Sequence, residues 1–152
     1  MEITDLLTPD RVIVGLQARS KSHVLAELAR RAAAATGLPQ QQIVDSLQAR
    51  ENLGSTGVGG GIAIPHAQIA GLERFFGLFV RLSRPIDYDA VDGQPVDLVF
   101  LLLIPANAKE HLQALAAVSR RLRDQETSAT LRRSQSREAA IKAIIGPLQS
   151  SI

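Results

Sequence analysis

The feature that most constrains the fold is an apolar run of strand length. It extends from Leu98 to Pro105, and no polar residue interrupts it. A strand that shows one face to water alternates apolar and polar residues, whereas a strand buried on both faces does not. We therefore predict a central strand over residues 96–104 that other elements cover on both sides.

Helical patterns flank this strand in the sequence. Ser20 has the side chain of an N-cap, and the apolar residues that follow it to about Ala35 form one stripe of a helix. The predicted order begins with a strand at 11–16 and helices at 20–35 and 40–51. Strands at 62–64, 77–82 and 96–104 follow, and then three helices, one that begins at 107 and two at 127–133 and 137–145. Helices before and after a strand with two faces to cover predict an α/β fold built as a three-layer α/β/α sandwich.

Three local features complete this outline. Residues 52–61 are rich in glycine, which predicts a loop without regular structure. A capping box, Asn107–Glu110, is expected to open the helix after the central strand. The buried side of that helix is predicted to contain Leu112, Leu115, Ala116 and Leu122. Gly146 and Pro147 are expected to stop the last helix.

Length and composition exclude several classes of protein. A chain of 152 residues suits one domain, which we expect to span 1–152. No run of about 18 apolar residues is present and the N-terminus lacks a signal peptide, so we expect a cytoplasmic protein without membrane insertion. The absence of cysteine excludes disulfides and thiolate metal sites. A net charge of +2 and few aromatic residues argue against a nucleic-acid partner.

The most informative polar residue is His66, which follows Pro65 directly after a predicted strand. Backbone N–H groups of glycines can converge on an anion, because no Cβ blocks the approach. Arg50 can add a forked cation for phosphate oxygens. The candidate phosphate-binding groups near His66 are Ser55, Thr56, Gly57, Gly59, Gly60 and Gly61. An imidazole beside such donors is suited to attack a phosphoryl group.

A second histidine, His111, lies in the first turn of the helix after the central strand. A helix N-terminus favours a nearby phosphate, and a neutral histidine there can donate one hydrogen bond to it. We hypothesise that His111 reaches the same sheet edge as His66. Two alternatives remain open from the residues alone: an ordinary loop with a surface histidine, or a metal site formed by both histidines. No third metal ligand can be named.

The stretch from Glu51 to Ala67 resembles the active-site signature of the fructose/mannitol-type enzyme IIA family of the bacterial phosphotransferase system. The signature places are filled by Glu51, Val58, Gly59, Ile62, Ala63, Ile64, Pro65, His66 and Ala67. Residues 5–10, 21–29 and 103–107, with His111, are similar to the nitrogen-regulatory branch of that family. The resemblance covers nearly the whole chain.

This resemblance implies a phosphotransferase whose catalytic residues are His66, His111 and Arg50. In the family, the histidine at the position of His66 is phosphorylated, usually on Nε2, and the residues matching His111 and Arg50 line its pocket. The resemblance also implies a mixed sheet between helices. The phosphoryl donor in the family is an HPr-type carrier, itself charged by an enzyme I. No metal or other cofactor is required.

The family has two branches, and the resemblance implies a different partner for each. Nitrogen-type members end the relay and regulate transport or sensor proteins by their phosphorylation state. Sugar-type members pass the phosphoryl group to a IIB domain for sugar uptake, which is the alternative function here. A binding module without turnover is a third possibility, but it has no chemical need for His66, His111 and Arg50 together.

Overall fold

The computed structural model describes residues 1–146, and these residues form a mixed six-stranded sheet between two layers of helices. The predicted helix stop at Pro147 and the last part of the expected domain therefore lie outside the described residues. The strands are β1 (Val12–Leu16), β2 (Gly57–Gly59), β3 (Ile62–Ala63), β4 (His66–Ile69), β5 (Phe76–Ile86) and β6 (Val96–Pro105). The helices are α1 (Lys21–Thr36), α2 (Gln40–Asn52), α3 (His111–Arg123), α4 (Gln125–Arg133) and α5 (Arg137–Ile145). The predicted three-layer α/β/α sandwich is confirmed.

The strand order is β1-β5-β6-β3-β2, and β4 also pairs with β6. The pairs β5–β6 and β2–β3 are antiparallel, whereas β1–β5, β3–β6 and β4–β6 are parallel. β3 and β4 thus follow one another along the same side of β6, separated by Ile64 and Pro65. Among residues 1–146, no helix combines the length and apolarity that a membrane crossing requires.

Strand β6 is covered on both faces, as its apolar run predicts. Val99, Leu101 and Leu103 pack in the cluster that contains α1 and α2. Leu98, Phe100, Leu102 and Ile104 pack in the opposite cluster with α3, α4 and α5. Each such side chain contributes about 1.5–3 kcal/mol when fully removed from water. The two helical layers are therefore required by one strand.

The ends of α1 follow its local sequence. The backbone N–H of His23 donates to the Ser20 hydroxyl at 3.2 Å, as expected for an N-cap. Gly37 ends the helix in the left-handed conformation with φ of 78°, which glycine adopts without steric cost. These bounds agree with the predicted helix within one or two residues.

Five strands lie between α2 and α3, not the predicted three, and the predicted end of β5 also needs correction. The predicted loop over residues 52–61 contains β2, because Gly57 and Gly59 pair with β3 in a tight hairpin. β4 was not predicted, since four residues with two polar side chains give a pattern too short to recognise. β5 extends beyond the predicted end at residue 82 to Ile86, through the exposed residues Ser83, Arg84 and Pro85.

The predicted capping box is wrong. Glu110 is the N-cap of α3 without a side-chain cap, and Asn107 lies in a turn before it, where the Ala108 N–H donates to the Pro105 carbonyl. The predicted buried side is also wrong in part, because Leu112 and Ala116 are exposed while Leu122 is buried. The buried residues of α3 are Ala114, Ala117, Val118, Arg121 and Leu122. The small alanines allow the helix to approach the sheet, and a pattern search guided by large leucines misses that face.

Identical leucine truncations at the two ends of α3 test this orientation. Leu122 is fully buried, so Leu122→Ala is expected to lower the free energy of unfolding by about 2–5 kcal/mol. Leu112 is 70% exposed, so Leu112→Ala is expected to change it by no more than about 0.5 kcal/mol. Urea denaturation followed by circular dichroism measures both. Equal losses would contradict the observed orientation of α3.

Candidate active site around His66

The sheet edge presents His66 toward the layer that contains α3. His66 begins β4 and lies opposite Leu102 of β6. Its neighbours Ala67 and Ile69 pack against α1 and α2. Because side chains alternate along a strand, His66 faces the other side of the sheet. It is half-buried there, at an edge that other side chains can reach.

Both nitrogens of the His66 imidazole have defined partners. Nδ1 lies 2.7 Å from the carbonyl oxygen of Ile64, which can only accept, so Nδ1 carries the proton. Nε2 accepts a hydrogen bond from Nε of Arg50 at 3.2 Å. The lone pair of the neutral ring is therefore on Nε2, the nitrogen turned toward the guanidinium.

The surroundings of His66 favour its neutral form. Burial lowers the pKa of His66 below its ordinary value of 6.5, and the positive charge of Arg50 and the nearby His111 act in the same direction. The hydrogen bond to the Ile64 carbonyl and the carboxylate of Glu51 oppose this change without reversing it. At neutral pH the imidazole is consequently uncharged and can act as a nucleophile.

The guanidinium of Arg50 is held in place by a backbone carbonyl just beyond the end of its own helix. It lies in the last turn of α2, and its Nη1 donates to the carbonyl of Gly54 at 2.9 Å. The same guanidinium points Nε at His66. A planar, permanently charged fork in this position can bind the oxygens of a phosphoryl group on Nε2. The structure therefore brings Arg50 and His66 together.

His111 joins the same group from the opposite helical layer. It is the first residue of α3, and it lies close enough to His66 to contribute to the lowered pKa of that imidazole. Within residues 1–146, its Nδ1 is buried without a hydrogen-bond partner. A buried polar atom without a partner calls for an explanation, and an oxygen of a bound ligand would supply one. The three residues singled out in the sequence thus meet at one place.

The hydroxyls of the glycine-rich segment are occupied elsewhere. The Thr56 hydroxyl is buried and donates to the carboxylate of Glu51. The Ser55 hydroxyl donates to the carbonyl of Tyr88 at 3.1 Å and accepts from the N–H of Gly57. These bonds shape the segment, so they do not support the predicted phosphate contacts of Ser55 and Thr56.

The glycines of the β2–β3 turn also lie away from His66. The N–H of Gly60 donates to Asp92, and the carbonyl of Gly61 accepts from the N–H groups of Asp97 and Leu98. Leu98 and Leu102, the partner of His66, are four residues apart on β6, or about 13 Å along the strand. The predicted phosphate contacts of Gly59, Gly60 and Gly61 therefore find no support in this placement.

Sequence reasoning missed the role of Glu51. Its side chain is 1% exposed and forms an ion pair with Lys21 at 2.8 Å. The available signal was its position, because an acidic residue in the last turn of a helix opposes the helix dipole and needs compensation nearby. As for metals, no group of three or more His, Asp or Glu side chains that could hold an ion occurs among the residues described.

Comparison with known proteins identifies the family of this chain. Residues 5–146 match the family model described as phosphoenolpyruvate-dependent sugar phosphotransferase system, EIIA 2. A nitrogen regulatory protein of Bradyrhizobium diazoefficiens is 48% identical over 148 residues, with 97% of each chain covered. One from Pseudomonas aeruginosa is 38% identical over 149 residues, covering 95% of this chain and 96% of its own.

The fold agrees as well. The crystal structure of the nitrogen regulatory protein IIA-Ntr from Neisseria meningitidis superimposes with a TM-score of 0.87 at 33% identity, covering 93% of this chain and 98% of that one. The range matched by the family model, residues 5–146, includes positions 50, 66 and 111. The chain therefore belongs to the EIIA 2 family of the phosphoenolpyruvate-dependent sugar phosphotransferase system, and within that family it resembles the nitrogen regulatory proteins.

Proposed function

We propose that this chain is a cytoplasmic, single-domain phosphocarrier that accepts a phosphoryl group on Nε2 of His66 from an HPr-type protein. The observation that carries the proposal is the state of the imidazole. Its proton is held on Nδ1 by the Ile64 carbonyl, and its lone pair on Nε2 faces the guanidinium of Arg50. This arrangement presents a nucleophile and a phosphate-binding cation side by side.

The transfer needs no proton movement at His66. The Nε2 lone pair forms a bond to phosphorus while the bond between phosphorus and the donor's histidine breaks, and that electron pair returns to the donor ring. The new ring charge is balanced by the phosphoryl oxygens, and the proton stays on Nδ1, which continues to donate to the Ile64 carbonyl. Arg50 turns from Nε2 to the oxygens, while its bond to Gly54 keeps it within reach.

His111 completes the site in this proposal. Its ring is near enough to affect the charge state of His66, and its buried Nδ1 lacks a partner. A phosphoryl oxygen on His66 would give that ring nitrogen a hydrogen-bond partner. The N-terminus of α3, where His111 lies, adds the positive end of a helix dipole. His111 therefore stabilises the phosphoryl group, whereas His66 carries it.

A protein donor also needs a surface to dock on, and apolar side chains are exposed next to the site. Leu53 follows Arg50 at the end of α2 and is 85% exposed, and Leu112 follows His111 and is 70% exposed. Exposed apolar residues that flank a reactive group are typical of protein contact surfaces. We propose that the HPr-type carrier covers both leucines.

The output we propose is regulatory. Resemblance to nitrogen regulatory proteins across almost the whole chain favours control of transport or sensor proteins by phosphorylation state over sugar uptake. The alternative is a sugar-type enzyme IIA that passes the group to a IIB domain. Incubation of the phosphorylated chain with fructose-type and mannitol-type IIB domains separates the two, because only the alternative expects rapid loss of the phosphoryl group to them.

Removal of the acceptor gives the first prediction here. His66→Ala is expected to abolish labelling from radioactive phosphoenolpyruvate in the presence of enzyme I and the HPr-type carrier, because it removes the acceptor nitrogen that faces Arg50. His23→Ala is the matched control, since His23 is an exposed residue of α1, and it is expected to be labelled normally. The wild-type adduct is expected to be acid-labile. A labelled His66→Ala protein would refute the assignment.

Removal of the neighbouring cation gives the second prediction. Arg50→Met is expected to raise the pKa of His66, because it removes both a positive charge and a donor to the neutral Nε2. NMR titration of the imidazole measures this pKa. Phosphoryl acceptance is expected to slow about 10²-fold. Arg30→Met, which changes an exposed arginine of α1, is expected to alter neither quantity. A lower or unchanged pKa in Arg50→Met would contradict the proposed geometry.

The docking surface formed by Leu53 and Leu112 gives the third prediction. Leu53→Ser is expected to raise KM for the HPr-type carrier about fivefold with little change in kcat, because it removes apolar contact without touching the imidazole. Val91→Ser is the control, since Val91 is 75% exposed beside the glycine hairpin. Steady-state transfer at varied carrier concentration measures both constants. Equal KM values for Leu53→Ser and Val91→Ser would place the carrier elsewhere.

A further inference from the structure

A buried carboxylate lies directly behind the His66 site without touching the imidazole. Glu51 forms an ion pair with Lys21 of α1 at 2.8 Å. Its carboxylate also accepts from the Thr56 N–H at 3.0 Å, from the Thr56 hydroxyl and from the Tyr88 hydroxyl at 3.3 Å. Four donors from three parts of the chain thus converge on one side chain that is 1% exposed.

One branch of this network leads to Nδ1 of His66. Thr56, whose N–H is bound by Glu51, accepts the N–H of Ile64 on its carbonyl at 3.0 Å. The carbonyl of Ile64 in turn holds the Nδ1 proton of His66. A continuous series of hydrogen bonds therefore runs from the ammonium of Lys21 to the imidazole ring.

The other branch leads to Nε2. The backbone carbonyl of Glu51 accepts the N–H of Gly54 at 3.0 Å, and the carbonyl of Gly54 accepts from Nη1 of Arg50. Arg50 is the residue whose Nε faces Nε2 of His66. Both partners of the imidazole are consequently attached to the short segment 52–56, which Glu51 binds through its backbone carbonyl at Gly54 and through its carboxylate at Thr56.

We propose that Glu51, neutralised by Lys21, is a positioning residue for phosphoryl transfer: it fixes segment 52–56 so that Ile64 holds the His66 proton and Arg50 faces the lone pair. This inference rests on the proposed phosphocarrier function. Glu51 itself touches neither the imidazole nor the place of the phosphoryl group.

The chemistry of the four contacts requires a carboxylate. All four partners donate, so both oxygens of Glu51 must accept. Burial and the Glu51 charge raise the pKa of Tyr88, which keeps its hydroxyl protonated and able to donate. An amide in place of the carboxylate would turn an NH₂ group toward a donor and push segment 52–56 away. Nζ of Lys21 lies 4.7 Å from the centre of the Tyr88 ring. This cation–π contact helps to hold the ammonium against the Glu51 carboxylate.

A buried ion pair is weak evidence for a role in stability, because desolvation offsets most of the attraction. A positioning role depends on precise geometry and not on a gain in stability, since a misplacement of about 1 Å at a reacting centre can slow a reaction about 10²-fold. The two roles are separable by experiment. Positioning predicts a loss of kcat that is coupled to Arg50, whereas a structural role predicts loss of folded protein without such coupling.

The test compares Glu51→Gln, Arg50→Met and the double variant in phosphoryl transfer from the HPr-type carrier. Glu51→Gln is expected to lower kcat about tenfold or more while KM for the carrier stays within about twofold. The double variant is expected to lose less than the product of the two single losses, because part of the effect of Glu51 passes through Arg50 and part through Ile64. Glu27→Gln is the control, since Glu27 pairs with Arg30 and Arg31 within α1, and it is expected to transfer normally.

Variants of Lys21 keep the test decisive if Glu51→Gln does not fold. Lys21 is 23% exposed, so water can replace it and Lys21→Met is expected to fold with a partial loss of kcat. Lys21→Arg retains the charge and is expected to restore transfer. Thermal melting and amide NMR spectra confirm folding of each variant. An unchanged kcat in folded Lys21→Met would overturn the proposal.

The outcomes separate this inference from the function on which it rests. If the wild-type chain is not phosphorylated on His66, the proposed function fails. If the wild type is phosphorylated and Glu51→Gln transfers at the same rate, or if its loss adds fully to that of Arg50→Met, only the positioning role of Glu51 fails. A kcat loss confined to Glu51→Gln, Lys21→Met and Arg50→Met, and not additive among them, supports the role.

Discussion

Burial of β6 on both faces is the constraint from which the rest of the molecule follows. It requires two helical layers, and it makes β6 the strand against which β3, β4 and β5 all pair. Parallel pairing with β4 sets His66 opposite Leu102. The end of β6 then leads through a short turn to α3 and His111. One strand thus determines where both histidines of the site lie.

The site reconciles two electrostatic requirements that oppose each other. A phosphoryl group needs cations around it, yet an imidazole can accept it only while the ring is neutral. Burial and the charge of Arg50 hold the pKa of His66 low, and the Ile64 carbonyl fixes its proton on Nδ1. Arg50 therefore has two roles, since the cation that favours the neutral imidazole can also bind the oxygens of a phosphoryl group.

The glycine-rich segment divides into two parts with different tasks. Residues 54–56 carry hydrogen bonds that lead to His66 and Arg50. The β2–β3 turn is instead fixed by Asp92 and by the Asp97–Arg132 ion pair, far along the edge of the sheet. Gly61 shows why glycine is needed there, because its φ is 77° and a Cβ would lie 2.5 Å from Arg132. The hydrogen bonds of residues 54–56 therefore lead toward the His66 site, whereas those of the β2–β3 turn lead to Asp92, Asp97 and Arg132.

The sequence by itself determined the layers, the helices α1 and α2, the buried strand β6 and the residue types of the site. These are local properties, since periodicity and continuous apolarity report which faces are buried, and the resemblance around His66 lies within one short segment. Only the tertiary structure decided which face of α3 is buried, that β4 pairs with β6, and that Glu51 lies beneath the site. Each of these depends on contacts between residues far apart in the chain. Such contacts are chosen by packing across layers, and the local sequence pattern on either side does not specify the partner.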